Sequence, residues 1–389
     1  MADVPLSWKL GIDNVSNKSN LPQGAVADAV NVDIDRAGTL ARRAGYAQVL
    51  GGSAHDLWTS PARSESFAAI GGALCRVRMP WASTSLHPLA VDVPLSYDDL
   101  NGDVVCGSKH ETLVIAPDLS VRRLGLEVPG APGVVPAASG GMTAGAYGVA
   151  ISYLCGNEEG GLSSITFADL TEGQGFALTL PQPAESLPTA IRIYRTQANG
   201  DVLYRVTDLP LSITSYLLGL TPVGRQASNW GLERMMPGDF VRAWKGRLWT
   251  VRGRTIYFSE PLRYGLYSPR HNFVQAANPV TLFEPVEAGI FVGGRDGIHF
   301  ISGTNPKDFN PVKLGGQAPI RGTGTRLLSA LLGDDGDSGQ YVALWLAGNG
   351  FVIGRSDGSI VEKQRRRITL SGAAGAVAVH GRQVTAVVS

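Results

Sequence analysis

The residue types that could do chemistry in this sequence occur in patterns that favour structural roles. Residues 336–339 read Gly-Asp-Ser-Gly, the core of the nucleophile signature of trypsin-like proteases. A nucleophilic serine needs a histidine base and an orienting carboxylate within reach. Here Gln340 follows the run, and His55 lies in an unrelated context. Because clustered glycine and aspartate are typical of an exposed turn, we predict a hairpin turn at this position and no enzyme activity.

The same stretch offers carboxylates to a metal ion. Asp334, Asp335 and Asp337 could donate oxygens to Ca²⁺, but their spacing does not fit the EF-hand loop and no glutamate follows at the required distance. The residues alone leave a metal role for these three aspartates open. The six histidines form no HxH or HxxxH pair, and the three cysteines form no CxxC motif. We expect no zinc site, no cofactor, and buried thiols in a chain made in a reducing cytoplasm.

A basic run at residues 363–367 carries the densest charge in the chain. Lys363, Arg365, Arg366 and Arg367 surround Gln364, so four cations fall within five residues. One interpretation is a contact with a phosphate backbone or an acidic partner. The other is a solvated outer strand or loop, since charge runs usually face water. The run is the candidate interface or DNA-channel site of this chain.

The remaining charge is balanced. The 389 residues include 34 Lys and Arg against 33 Asp and Glu, a formal net charge of +1. A dedicated tight DNA binder usually carries a clear basic excess, so the charge balance argues against this class. We find no run of about 18 uncharged apolar residues that would span a bilayer. The N-terminus has no apolar leader, so we also expect no secretory signal.

Short β-rich runs that end at turn residues dominate the sequence. Paired runs flank tight turns such as Gly71-Gly72 and Gly253-Arg254, a pattern typical of β-hairpins. Helical periodicity is weak and confined to residues 24–30 and 325–332. Alternating βαβ units are missing. The sequence therefore predicts an all-β protein.

The hairpins recur at an irregular period of about 35–45 residues, which is typical of four-stranded propeller blades. The predicted blades lie at residues 53–90, 96–125, 238–276, 279–316 and 329–370. Strands near 29–35, 39–49 and 373–388 lack local partners, so we expect both chain ends to share one closing blade that removes the exposed sheet edge. This predicts a β-propeller of about six blades, with five or seven also allowed.

Residues 129–219 interrupt this pattern. The segment opens with the Pro/Gly-rich sequence VPGAPGVVP and continues with several short alternating strands. This favours an inserted β-sandwich of the immunoglobulin or fibronectin-III type, without the Cys–Trp–Cys core of true immunoglobulin domains. The predicted organisation is an N-terminal extension and the first blades at 1–128, the inserted module at 129–219, and the remaining blades at 220–389, closed by the N-terminal strands.

Several motifs resemble one family. The N-terminal region reads GIDNVS at 11–16, AVNVDID at 29–35 and LARRAG at 40–45. Residues 243–266 (AWKGRLWTVRGRTIYFSEPLRYGL) and 286–303 (VEAGIFVGGRDGIHFISG) add two more matches. Together they resemble tail nozzle proteins of short-tailed bacteriophages, the tail tubular protein B type. Sequences such as IRIYRTQANGDVLYRV at 191–206 are similar to the fibronectin-like insertions of such virion proteins.

The resemblance implies a structural role in the virion tail. Six copies would form a ring below the portal and its head-to-tail adaptor, carry tail fibres or spikes, and guide viral double-stranded DNA without tight binding. The best-known nozzles are about twice this length, so lumen loops or docking domains of larger relatives are not expected here. The protein would be made in the host cytoplasm. The family carries no catalytic residues over to this chain.

Two other classes stay open at this point. A carbohydrate-binding or glycan-degrading propeller, such as a depolymerase, would expose aromatic residues and pair two carboxylates at one end of the ring. Trp58, Trp244, Trp249 and Trp345 instead lie within strand-like runs, which predicts core packing. A monomeric cellular scaffold is the other alternative.

Overall fold

A computed structural model describes residues 7–35, 37–45, 47–332, 339–362, 364, 366–380 and 383–389. The chain divides into two compact units. The first comprises residues 1–57, 77–83 and 275–389, and the second comprises 58–76 and 84–274. The secondary structure is almost entirely β, as the sequence predicts.

Five four-stranded sheets lie at or close to the residues where the sequence predicts propeller blades, and the last of them begins at Thr325, before the predicted start at residue 329. Sheet A contains Ala54–Thr59, Ser66–Ile70, Ala73–Arg78 and Ala82–Pro88. Sheet B contains Ser96–Leu100, Asp103–Gly107, Thr112–Ile115 and Val121–Arg123. Sheet C contains Phe240–Trp244, Arg247–Arg252, Thr255–Phe258 and Phe273–Gln275. Sheet D contains Leu282–Val286, Gly289–Gly294, Gly297–Ser302 and Asn310–Gly315. Sheet E contains Thr325–Leu328, Tyr341–Ala347, Gly350–Gly354 and Ile360–Glu362.

Several shorter elements accompany the five sheets. Two-stranded pairs join Gly11–Ile12 with Ala25–Val26, Val32–Ile34 with Leu40–Arg42, Glu233–Arg234 with Leu266–Tyr267, and Gly375–His380 with Gln383–Val388. The described helical elements are the 3₁₀ turns Lys18–Asn20 and Pro306–Asp308 and the four-residue α-helix Ser329–Leu332. None of the helices in the described ranges is long and apolar enough to cross a membrane.

In the second unit, sheet B packs against residues 67–74 of sheet A on one face and against sheet C on the other. One face of sheet B packs its Val104 and Leu113 in a core with Phe67 of sheet A. The opposite face packs Val105 and Val114 in a second core with residues of sheet C. Inner strands buried on both faces read as continuous apolar runs, not as alternating ones. This explains why the hairpins could be located from the sequence.

Gly107 brings sheets B and C together. A Cβ atom built on Gly107 would overlap the Cγ2 atom of Val241 in sheet C. Only glycine at position 107 therefore lets the backbone of sheet B lie this close to the Val241 side chain of sheet C. The glycine at position 107 is thus needed for sheets B and C to stack face to face.

The first unit repeats the arrangement with sheets D and E. Phe291 of sheet D and Trp345 of sheet E share one core, with ring centroids 5.6 Å apart. The other face of sheet E packs Val342 and Leu344, with Val384 of the C-terminal hairpin packed against them. The C-terminal hairpin thus continues the stack after sheet E.

Residues 129–219 form two facing sheets within the second unit. A three-stranded sheet contains Gly133–Ala137, Gly175–Thr179 and Ser215–Leu218. A five-stranded sheet contains Gly145–Cys155, Glu158–Glu159, Thr166–Leu170, Ala190–Arg195 and Tyr204–Pro210. Both contribute to one core, in which Val149 and Ile193 of the larger sheet meet Phe176 of the smaller. The segment thus consists of short strands, as its pattern predicts, whereas its identity as an inserted fibronectin-III-like module stays a prediction.

The two weak helical signals fare differently. Residues 24–30 contain the strand Ala25–Val26 and no helix, so that prediction was wrong. Ala25 and Val26 pair with Gly11 and Ile12 as a short parallel ladder, so tertiary pairing overrides a weak local preference. Residues 325–332 are a strand for their first half and a helix only at Ser329–Leu332.

The unpaired end strands find partners close by in the chain. Val32–Ile34 pairs with Leu40–Arg42, and the two strands of the C-terminal hairpin pair with each other. Pairing between these two hairpins, as a shared closing blade requires, stays a prediction.

Candidate functional site at the chain-end junction

The basic run follows sheet E in the first unit. Lys363 and Arg365 lie outside the described residues, whereas Arg366 and Arg367 are described and exposed. Gln364, which precedes Arg365 in the sequence, turns inward, and its Oε1 atom accepts a hydrogen bond from the Phe351 N–H at 3.0 Å. The described part of the run is therefore a surface turn that Gln364 ties to sheet E.

The N-terminal GIDNVS motif forms a compact polar turn. The Asp13 carboxylate is buried and accepts the Ser16 N–H and the Ser16 hydroxyl, each at 2.9 Å, and the Val15 N–H at 3.3 Å. The hydrogen bond from the Ser16 N–H, against opposing desolvation, lowers the pKa of Asp13, and the nearby charge of Arg367 adds to this. A carboxylate held this way keeps the turn closed at neutral pH.

Asn14 joins this motif to the segment that follows the basic run. Its backbone N–H donates to the Arg367 carbonyl at 2.9 Å. Its side chain bonds Thr369 in both directions: Nδ2 donates to the Thr369 carbonyl at 2.9 Å, and Oδ1 accepts the Thr369 N–H at 2.7 Å. Arg367 completes the link, because its Nη1 donates to the Leu10 carbonyl at 3.0 Å. We call these contacts the chain-end junction.

Sequence reasoning anticipated that the chain ends meet but assigned other residues to the contact. It singled out both the GIDNVS motif and the basic run without connecting them. The available signal was Asn14 itself, since an asparagine side chain can bond a backbone N–H and C=O together as a third strand would. Nothing in local patterning identifies a partner 355 positions away.

An open groove lies at the same end of the first unit. Its volume is about 560 Å³, and turns of sheets D and E line it together with residues 370–373. Arg295 and Asp296 form one wall, and Asp296 pairs with Lys313 at 3.3 Å and with His299 at 3.6 Å. The desolvation of Asp296 is outweighed by its hydrogen bond with Lys313 and smaller contributions, so its pKa is lowered. The groove presents paired charges and backbone polar groups.

No group of three or more His, Cys, Asp and Glu side chains capable of holding a metal occurs in the part of the chain that the structure describes. Asp334, Asp335 and Asp337, and Ser338 of the protease-like run, lie outside the described residues. Cys75 and Cys106 are buried and Cys155 is half-buried, and these three described cysteines form no disulfide. Burial raises the pKa of Cys75, which is typical of an inert structural thiol.

The predicted core tryptophans behave as expected. Trp249 and Trp345 are fully buried, Trp244 is buried, and Trp58 stacks on Tyr97 with ring centroids 5.4 Å apart. Trp244, Trp249 and Trp345 are therefore core residues, whereas Trp58 is half-buried. Trp230 is different, since 56% of it is exposed.

Ion pairs tie the 129–219 segment to the rest of the second unit. Glu185 binds Arg234 through two hydrogen bonds, at 2.5 and 2.8 Å, and Arg123 at 3.1 Å. The Arg234 hydrogen bonds dominate and lower the pKa of Glu185. Asn229 adds a bond from its Nδ2 atom to Glu159 at 3.0 Å. The segment is thus braced at several points by polar contacts from residues outside it.

Comparisons with known proteins leave the family open. No family model matches the chain, and no curated protein does. Among solved structures, similarity is found to BBS1N in complex with ARL6DN, at 12% identity and a TM-score of 0.32 over 86% of this chain and 87% of that one. A streptogramin B lyase gives 12% identity and a TM-score of 0.32 over 82% and 83%. The designed Ika8 protein gives 11% and 0.28 over 85% and 91%. Overlaps this weak carry no argument about this chain.

Proposed function

We propose that this chain is a structural protein of a bacteriophage tail, whose copies form a ring-shaped nozzle below the portal and adaptor. The proposal starts from the sequence resemblance to tail nozzle proteins of short-tailed phages. The observation that carries it is the chain-end junction: the GIDNVS motif, on which the resemblance chiefly rests, has a defined mechanical role. It holds the two ends of the chain together through Asn14, Arg367 and Thr369.

A propeller architecture is part of the proposal. Sheet B packs between part of sheet A and sheet C in one unit, and sheets D and E and the C-terminal hairpin stack in chain order in the other. Stacked four-stranded sheets are the building blocks of propeller blades. We infer about six blades, the last one built from chain-end strands, with residues 129–219 as an inserted fibronectin-III-like module.

The basic run would serve the ring in one of two places. A belt on the rim would bind acidic groups of a neighbouring subunit or the adaptor, whereas a belt in the lumen would face DNA phosphates. Changing Arg365 and Arg366 to Gln spares Arg367, whose Nη1 bonds the Leu10 carbonyl, and should leave the fold intact, since changes outside such contacts usually cost under about 0.5 kcal/mol. For a rim belt, ring assembly should weaken and become salt-sensitive. For a lumen belt, assembly should persist while DNA retention or ejection changes.

The mass of the purified protein tests the ring. Light scattering on the eluting species should give six times the 41.0 kDa of one chain. A monomer at every concentration would contradict the proposal.

The exposed side chain of Trp230 favours a second candidate function, carbohydrate binding or glycan degradation. Aromatic faces stack on sugar rings, so quenching of Trp230 fluorescence by host surface glycans, lost in Trp230→Ala, would support it. Depolymerisation of such glycans would support the degrading form. Neither effect is expected of a nozzle.

A further inference from the structure

The two sheets of residues 129–219 differ sharply in charge. The strands of the five-stranded sheet contain seven charged residues: Glu158, Glu159, Asp169, Arg192, Arg195, Arg205 and Asp208. The strands of the three-stranded sheet contain none. The solvent face of an antiparallel sheet normally carries polar and charged side chains. The small sheet therefore presents an unusual surface for one that faces water.

The outward side chains of this sheet form an apolar row. The strand register places Val135 opposite Ala177 and Ala177 opposite Leu217. All three are exposed, Val135 by 62% and Leu217 by 54%. Leu220, just after the strand, is 71% exposed. This row runs from Gly133–Ala137, one outer strand of the sheet, to Ser215–Leu218, the other outer strand among the described residues.

The edge of that strand offers backbone groups for pairing. The Leu180 N–H donates to the Thr214 carbonyl at 2.8 Å, which fixes the hydrogen-bonding phase of the two strands. Because backbone groups alternate in direction along an antiparallel pair, those of Ser215 and Leu217 point away from the neighbouring strand. Natural edge strands are usually protected by lysine, an inward charge or a bulge. Residues 209–224 contain no charged residue.

We propose that this edge pairs with the same edge of a second copy of the chain, joining two three-stranded sheets into one continuous sheet. An uncharged edge and face require an uncharged partner, since a charged one would lose its hydration without a counter-charge. The strand Ser215–Leu218 of another copy meets this requirement and is present wherever the chain is. A two-fold axis near Tyr216 sets Ser215 of one copy opposite Leu217 of the other and satisfies both edges at once, with about four backbone hydrogen bonds.

The contact is small. Stable interfaces bury roughly 1,200–2,000 Å², and an edge of four residues with one apolar row covers less. The pairing is therefore weak for one pair of modules and becomes strong when several modules on an assembled particle engage together. The pairing of two copies through residues 215–218 is a proposal separate from the ring.

Sedimentation of the full chain over a range of concentrations tests the pairing, with Leu217→Lys as the disrupting variant. Leu262→Lys is the matched control, because Leu262 is also an exposed leucine of the second unit. Wild type and Leu262→Lys should show a reversible doubling of the smallest species as concentration rises, and Leu217→Lys should abolish it. Equal melting temperatures for the three proteins establish that the fold is retained. Leu217→Thr, which adds no charge and keeps β-propensity, should weaken the doubling less than Leu217→Lys.

The outcomes separate this proposal from the ring. A hexamer that is indifferent to Leu217→Lys, with no doubling step in wild type, overturns the pairing and leaves the ring. A dimer that dissociates on Leu217→Lys, with no hexamer present, supports the pairing and overturns the ring. Open-ended polymers that survive Leu217→Lys also overturn the pairing, because a two-fold contact closes after two copies.

Discussion

Replacing Asn14 by alanine should release the segment that follows the basic run. The change removes two side-chain hydrogen bonds to Thr369, of 2.7 and 2.9 Å, and leaves the backbone bond to Arg367 in place. Such bonds contribute about 0.5–1.5 kcal/mol each, and Asn14 is exposed, so together they should stabilise the junction by about 1–2 kcal/mol. At 1.4 kcal/mol for each factor of ten, this is a roughly 5- to 30-fold change in local opening.

Hydrogen–deuterium exchange read by mass spectrometry measures this opening. The Thr369 N–H donates to Asn14 Oδ1, so it should exchange roughly 5- to 30-fold faster in Asn14→Ala. Asn14→Asp keeps an acceptor for this N–H and should retain most of the protection. Asn310→Ala is the control, because it makes the same substitution at another exposed asparagine of the same unit. It should leave the exchange rate at Thr369 unchanged. Equal exchange at Thr369 in wild type and Asn14→Ala would refute the junction.

Three further changes test the packing and the brace. The pKa of Glu185 is lowered in the folded chain, so its ion pairs stabilise the fold above the pKa of the unfolded state. This stabilisation is lost as the pH falls through the pKa of the folded state. Acid should therefore lower the melting temperature of wild type more than that of Glu185→Gln. Gly107→Ala places a Cβ against Val241 and should cost about 1–3 kcal/mol in urea unfolding, whereas Gly51→Ala meets open space and should stay within about 0.5 kcal/mol. Arg195 is buried and donates to two backbone carbonyls, so Arg195→Lys should lose about 1.5–3 kcal/mol in the same assay.

The strands were predictable because their signal is local. Ser66–Ile70 and Ala73–Arg78 flank Gly71-Gly72, and both glycines adopt positive φ, at 59° and 76°. Two such residues between apolar runs are characteristic of a tight hairpin. Ser215–Leu218 was likewise located from its own residues. Each of these predictions needed information from about a dozen consecutive residues.

The junction was not predictable because its signal is distributed over the whole chain. Asn14 and Thr369 lie 355 positions apart in the chain, and neither stands in a pattern that specifies the other. The ion pairs of Glu185 with Arg123 and Arg234 have the same character. The sequence identified the basic run by its composition, but composition does not reveal that Arg367 bonds the Leu10 carbonyl.

Single-particle electron microscopy of the purified chain tests the central claim most directly. A nozzle protein should appear as a closed ring of six subunits with an open centre, and each subunit should contain the stacked sheets A to E. Isolated subunits at all concentrations, with no ring in any class of particles, would contradict the proposed function.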